Sequence, residues 1–193
     1  RAAEAAGVPV FEADDSLIRY CATVVTPQSV LFSVMIPGTE PAVSGGKYLI
    51  LDAVRDPGNV GTILRSADAF GTNAVLMTSD CADLYAPKTV RSTMGAIFRQ
   101  SVRIFKRENA GGEFAALGVP VYGASAEPGA KDIREADLSA CAVVIGNEAH
   151  GISPELRALC SGFVKIPMVG RAESLSASVA AGIAAFLMSI SKP

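Results

Sequence analysis

From Lys47 onward, short apolar runs rich in β-branched residues alternate with helical stretches, and this alternation constrains the fold more than any other feature of the chain. The strand candidates are "KYLILDAV" (47–54), "NAVLMT" (73–78), "VRIFK" (102–106), "VPVYGAS" (119–125), "CAVVIGN" (141–147) and "FVKIPMV" (163–169). Repeated strand-helix units predict an α/β fold, a mostly parallel sheet with helices on both faces, because a parallel neighbour is reached only through a crossover long enough to hold a helix. Ser153-Pro154-Glu155 supplies an N-cap, a proline at the first helical position and an acid in the first turn, while Gly71, Gly118 and Gly162 follow helical runs as C-terminal stops. Ligands of such sheets collect at the carboxyl ends of the strands, so the strand-to-helix loops are where chemistry is expected.

Ahead of this region, residues 37–46 ("PGTEPAVSGG") carry two prolines and three glycines without apolar periodicity, the composition of a linker. The reading is therefore residues 1–36, a linker over 37–46, and a main domain over 47–193. In the first segment "VTPQSVLFSVMI" (25–36) reads as a turn followed by a buried strand. So short a segment does not make a stable domain unaided, and with Arg1 in first place it is expected to be the tail of a longer domain.

At 193 residues, half of them apolar, the chain can bury a full core. Its four cysteines, Cys21, Cys81, Cys141 and Cys160, are far apart and only one histidine, His150, accompanies them, which argues against a metal site. Such dispersed cysteines suit small buried hydrophobes in a reducing compartment, and the expected location is the cytoplasm. The apolar run from Val179 to Met188 is too short to span a bilayer, so no membrane partner is expected.

Three loops after strand candidates concentrate Gly, Asn, Ser and charge: "RDPGNVGTILRSADAFG" (55–71), "IGNEAHGIS" (145–153) and "IPMVGRAESLSASVAAG" (166–182). In the first, Asn59 sits where a helix begins, a plausible anion seat, and Arg65 lies among Ile63, Leu64 and Ala67, where its guanidinium is expected to lie near buried surface and to need a partner such as Asp68 or Glu148. Neither a GxGxxG dinucleotide fingerprint nor a GxxxxGK[ST] phosphate loop is present. In the second, Glu148 can orient a polar group, while His150, alone in a turn, is expected to be solvated. The third offers Ser174, Ser176 and Ser178 without an acid-histidine relay, so its hydroxyls suit ligand binding better than nucleophilic hydrolysis. Residues 88–107 carry Lys88, Arg91, Arg99, Arg103, Lys106 and Arg107 and no acid, the footprint of a polyanion such as RNA on a chain whose formal net charge is −2.

Taken together and in order, "NVGTILRSADAFG", "IGNEAHGIS" and "IPMVGRAESLSASVAAGIAAF" resemble the three motifs of the SpoU (TrmH-type) RNA ribose 2′-O-methyltransferases of the SPOUT superfamily, over residues 47–192. Residues 1–36, with "VTPQSVLFSV", look like the end of an L30e-like RNA-binding domain. The resemblance implies a C-terminal trefoil knot, S-adenosylmethionine as cofactor, and a homodimer whose active site draws on both subunits. It also implies a cofactor pocket at Gly146, Asn147, Ile166, Met168 and Leu175, catalytic positions at Asn59, Arg65, Glu148, Ser174 and Ser176, and RNA contacts at Lys88, Arg91 and Arg99. One departure is clear: the family has Ser-Leu-Asn where this chain has Ser174-Leu175-Ser176. The expected activity is methyl transfer to a ribose 2′-hydroxyl, in 23S ribosomal RNA first and transfer RNA second. An RNA-binding module with a decayed active site and a nucleotide-dependent metabolic enzyme stay open as alternatives.

Overall fold

A computed structural model describes residues 2–36 and 44–192. Most of the 37–46 linker therefore lies outside the described residues. The chain divides into two compact units, Arg1–Gly38 and Thr39–Pro193.

The first unit holds two helices, α1 (Ala2–Ala5) and α2 (Asp15–Cys21), the latter started by Asp14, whose Oδ1 accepts from the Leu17 backbone N–H at 2.8 Å. The strand expected within residues 25–36 does not form. Val30, Phe32, Met35 and Ile36 are exposed instead. A strand needs a neighbour for its backbone donors and acceptors, and none of the seven strands lies in this unit.

The second unit runs β1 (Tyr48–Leu51), α3 (Pro57–Ala69), β2 (Ala74–Thr78), α4 (Pro87–Ser92), β3 (Val102–Phe105), α5 (Ala110–Leu117), β4 (Val121–Ala124), β5 (Lys131–Asp132), β6 (Ala142–Ile145), α6 (Pro154–Arg157), β7 (Gly162–Lys165) and α7 (Ala177–Ile190), with single 3₁₀ turns at 96–98, 107–109 and 133–135. The strands form one sheet in the order β3-β2-β1-β6-β4-β7-β5, every pair parallel. All six expected strands are present. The two-residue β5 lacks a sequence signal of its own, and Gly162, expected as a helix stop, is the first residue of β7 because α6 ends four residues earlier than that reading required.

Period-two alternation splits the strands between two cores. Leu49, Leu51, Val75, Met77, Val143 and Ile145 face one side, covered by α3 through Val60, Ile63, Leu64 and Ala67 and by α7 through Ala177, Ala181, Ala184 and Met188. Tyr48, Ile50, Leu76, Ala142 and Val144 face the other, covered by Phe114 and Leu117 of α5 and Leu156 of α6. The α3 set falls at i, i+3, i+4 and i+7, one stripe of a helix. Each fully buried leucine or isoleucine in these layers contributes about 2 kcal/mol. α4 lies against α3 at Gly61, where an added Cβ would come within 2.5 Å of Ser92 Cβ and of the Thr89 carbonyl oxygen, so only glycine permits that approach.

Candidate active site

Parallel pairing sets the carboxyl ends of β1, β6, β4 and β7 side by side. Just past β1, Asp56 caps α3: its Oδ1 accepts from the Asn59 backbone N–H at 2.8 Å, and Lys88 Nζ lies 3.1 Å from Oδ2. These contacts, the Asn59 N–H foremost, hold the Asp56 carboxyl below its ordinary range. The anion seat expected at this helix start is thus filled by the chain's own carboxylate.

The loop after β6 is a turn closed by Asn147 and Gly151, whose backbone groups exchange hydrogen bonds of 3.0 and 2.8 Å. A Cβ on Gly146 would fall on the Gly151 backbone, so the turn closes only over glycine. The Asn147 side chain ties the turn to the loop after β1, Nδ2 donating to the Ala53 carbonyl at 2.8 Å while Oδ1 accepts from the backbone N–H of Ala149 at 2.9 Å and of His150 at 3.1 Å. Ala53 sits in the left-handed region at φ 53°. That conformation costs an alanine about 1 kcal/mol, and it is held by the Asn147 bond on one side and by an Ala53 N–H bond to Thr78 Oγ1, 2.9 Å, on the other. A second tie comes from Asp52, which is buried: one oxygen accepts from the Ser153 N–H at 2.6 Å and the other from Arg107 at 2.8 Å.

Asn59, Glu148 and the start of α7 meet across these loops. Asn59 Nδ2 donates to Glu148 Oε1 at 2.8 Å, Ser178 Oγ donates to Asn59 Oδ1 at 2.7 Å, and Ser176 Oγ lies 3.2 Å from Ser178 Oγ. Ser176 is also the N-cap of α7, accepting from the Val179 N–H at 3.3 Å. Beside this cluster a cleft of about 330 Å³ is lined by Gly146, Asn147, Glu148, His150, Ser174 and Leu175 among others. It adjoins a smaller cavity of about 150 Å³ that shares Ser174 and Leu175 and adds Ile166 and Met168. All five residues expected to hold a cofactor line these two spaces, with an apolar portion (Leu175, Ile166, Met168) and a polar portion (Asn147, Glu148, Ser174). This mixed lining suits a ligand with an apolar part and a polar part.

The expected catalytic and RNA-contact residues divide. Asn59, Glu148 and Ser176 come together, and Ser174 lines both cavities. Arg65 lines neither: it is exposed on α3 and makes no hydrogen bond or ion pair among the described residues. Its expected partners are occupied, Asp68 by Arg99 at 2.6 Å and Glu148 by Asn59. Outward placement follows from the helix register, since the stripe of Val60, Ile63, Leu64 and Ala67 leaves position 65 on the opposite side. In the basic segment, Lys88 pairs with Asp56, Arg99 with Asp68, Arg103 with Glu113, and Arg107 with Asp52 and Asp80, so the run is not the uncompensated patch its sequence suggests. Arg91 has no such partner among the described residues.

His150 is exposed, as expected, with Nδ1 3.1 Å from Asn147 Oδ1. Ala124, the last residue of β4, and Ser125 and Ala126 just after it line both cavities and were not anticipated; their place at the carboxyl end of a parallel strand is the signal that could have found them. Among the described residues no cluster of His, Cys, Asp or Glu could hold a metal ion, and no helix is long and apolar enough to cross a membrane.

Known proteins resemble this chain in sequence and fold. The chain is 36% identical over 158 residues to the 23S rRNA (guanosine(2553)-2′-O)-methyltransferase RlmP of Bacillus subtilis, covering 82% of this chain and 63% of that protein. It is 38% identical over 143 residues to the 23S rRNA (uridine(2479)-2′-O)-methyltransferase of Streptomyces viridochromogenes, covering 69% of this chain and 48% of the relative. Among solved structures, the AdoMet-bound rRNA methyltransferase of Sinorhizobium meliloti superposes with a TM-score of 0.72 at 34% identity, over 78% of this chain and 60% of the other. The chain thus spans less than two thirds of the length of each of these proteins. Residues 46–186, which contain the whole sheet, the three loops and most of α7, match the SpoU rRNA Methylase family, and the chain belongs to it.

Proposed function

We propose that this protein transfers a methyl group from S-adenosylmethionine to a ribose 2′-hydroxyl of structured RNA, 23S ribosomal RNA foremost. The observation that carries the reading is the junction of Asn59, Glu148 and Ser178 at the edge of a cleft whose lining passes from apolar to polar. The 23S rRNA 2′-O-methyltransferases named among the relatives support the substrate.

Bound S-adenosylmethionine supplies a methyl group on a positively charged sulfur, which a ribose 2′-oxygen accepts as it sheds its proton. Ile166, Met168 and Leu175 would pack on its flat apolar part, with the bare backbone at Gly146 allowing close approach, and Asn147, Glu148 and Ser174 would meet its polar part. Glu148 has one oxygen engaged by Asn59, leaving the other to orient the ribose, and holding two reactants in line supplies a large share of such a rate. A guanidinium offers only donors, so the role of Arg65 is to grip the phosphate and stabilise charge on the 2′-oxygen rather than to remove the proton.

Several finer features belong to the same reading. A homodimer is supported by the exposed apolar band of Phe70, just after α3, and Val179, Phe186 and Ile190 of α7, two of whose rings, Phe70 and Phe186, stack edge to face at 5.6 Å. In that dimer Arg65, which lines neither cavity of its own chain, serves the partner's cleft. A C-terminal trefoil knot is supported by the way α7 returns onto α3 after the loops at 146–153 and 166–176. Residues 1–36 are read as the C-terminal part of an L30e-like substrate-binding domain, and the cytoplasm as the location because the RNA is there. Lys88, Arg91 and Arg99 line up as RNA contacts, with unpaired Arg91 the strongest.

The test is to map 2′-O-methylated positions in total RNA with and without the protein. A new site in 23S RNA is the expected result. A site in transfer RNA moves the substrate; RNA binding without transfer of labelled methyl supports the decayed module; no change at any position overturns the reading.

A further inference from the structure

We infer that Ser178 is a positioning residue for methyl transfer, anchoring the Asn59 carboxamide and through it the Glu148 carboxylate. The inference rests on the methyltransferase reading and adds a residue to it.

Donor and acceptor chemistry fixes the direction of the whole chain of contacts. An ionised carboxylate only accepts, so the Asn59 atom 2.8 Å from Glu148 Oε1 is the amide nitrogen and the atom facing Ser178 is the carbonyl oxygen. Ser178 must therefore spend its one hydroxyl proton on Asn59 Oδ1, at 2.7 Å. Its oxygen is then the acceptor toward Ser176, 3.2 Å away, and Ser176 donates. The Ser176 oxygen in turn accepts from the Val179 N–H at the head of α7. The result is a one-way series: α7 backbone, Ser176, Ser178, Asn59, Glu148.

Three loops meet in that series. Asn59 is on the first turn of α3, Glu148 in the turn after β6, and Ser178 on the first turn of α7. A carboxamide can turn over with little change in shape, and the reversed form would aim an oxygen at Glu148. The Glu148 carboxylate, which can only accept, makes the reversed form unfavourable, and Ser178 adds the donor that pins Asn59 Oδ1 in the form that results. With it in place, the second Asn59 N–H and the second Glu148 oxygen are left to meet the ribose. A serine at 176, where an asparagine is usual in the family, increases this dependence, because a hydroxyl has a single proton and that proton is already committed to Ser178.

The experiment compares Ser178→Ala, Ser178→Thr and the native chain in steady-state methyl transfer and in nitrogen-edited NMR of the Asn59 side-chain amide. Loss of one such hydrogen bond is expected to lower kcat about tenfold with KM for S-adenosylmethionine unchanged, threonine restoring most of it. In Ser178→Ala the Asn59 amide protons shift and exchange faster with solvent. Native kcat and an unmoved Asn59 signal in Ser178→Ala overturn the inference. If the native protein transfers no methyl to any RNA while Ser178→Ala still moves the Asn59 signal, the methyltransferase reading fails and only the hold of Ser178 on Asn59 stands. Should Ser178→Ala fail to fold, Ser178→Cys, close in size and a weaker donor, gives the same two readouts with an intermediate loss.

Discussion

At the scale of single residues, partner assignments separate groups that look alike in sequence. Arg65 and Arg99 both lie in or next to helices with acids nearby, yet Arg99 is paired to Asp68 and Arg65 is left open. An open, rigidly forked guanidinium can engage a phosphate without first breaking an ion pair, and lysine cannot reproduce its two-pronged contact. Arg65→Lys is therefore expected to lose at least about 90% of turnover while S-adenosylmethionine binding, measured by calorimetry, stays within about twofold of native; near-native turnover removes Arg65 from the mechanism. Asn59 and Glu148 were legible as polar residues in loops after strands. Their partnership with Ser178 was not, because hydroxyls at 174, 176 and 178 alternate identically in the sequence and only the helical start at Ala177 turns Ser178 toward Asn59.

At the scale of elements, the first turn of α3 carries both structure and site. Asp56 is the cap that starts the helix on which Asn59 sits, and an N-cap aspartate is worth about 1 kcal/mol over alanine. Because its carboxyl is held below the ordinary aspartate value of about 3.9, the capping stability is fully present above that value and is lost as pH falls through the lower folded-state value. Asp56→Ala is accordingly expected to melt about 3 °C below native at neutral pH, with the gap narrowing steadily below about pH 4; a gap that is constant from pH 7 to pH 2 would show that the carboxylate is not the cap. Here the sequence was informative, since Asp-Pro-Gly-Asn before an apolar stripe is a helix start. What misled was the anion seat: a helix N-terminus attracts any nearby carboxylate, and the closest one is three residues upstream.

At the scale of the whole molecule, α3 and α7 cover one face of the sheet and still leave Phe70, Val179, Phe186 and Ile190 exposed. If these form the subunit contact, Phe186→Asp is expected to shift the species seen by light scattering from dimer to monomer and to abolish transfer, with the helical circular dichroism unchanged; a monomeric native protein in the micromolar range excludes the shared site. Alternating apolar runs and capped helices determined by themselves that the chain folds as a parallel α/β sheet with three polar loops at one end, since burial periodicity and backbone capping are local properties. The tertiary structure alone decided which groups are satisfied within the chain and which remain to bind. The basic segment lost most of its apparent charge to acids distant in sequence, as Arg107 did to Asp52, and residues 25–36 formed no strand because the described residues of their own unit include no other strand to pair with. Ion pairing, strand pairing and side-chain hydrogen bonds each need two partners in register, and position along a chain specifies only one of them.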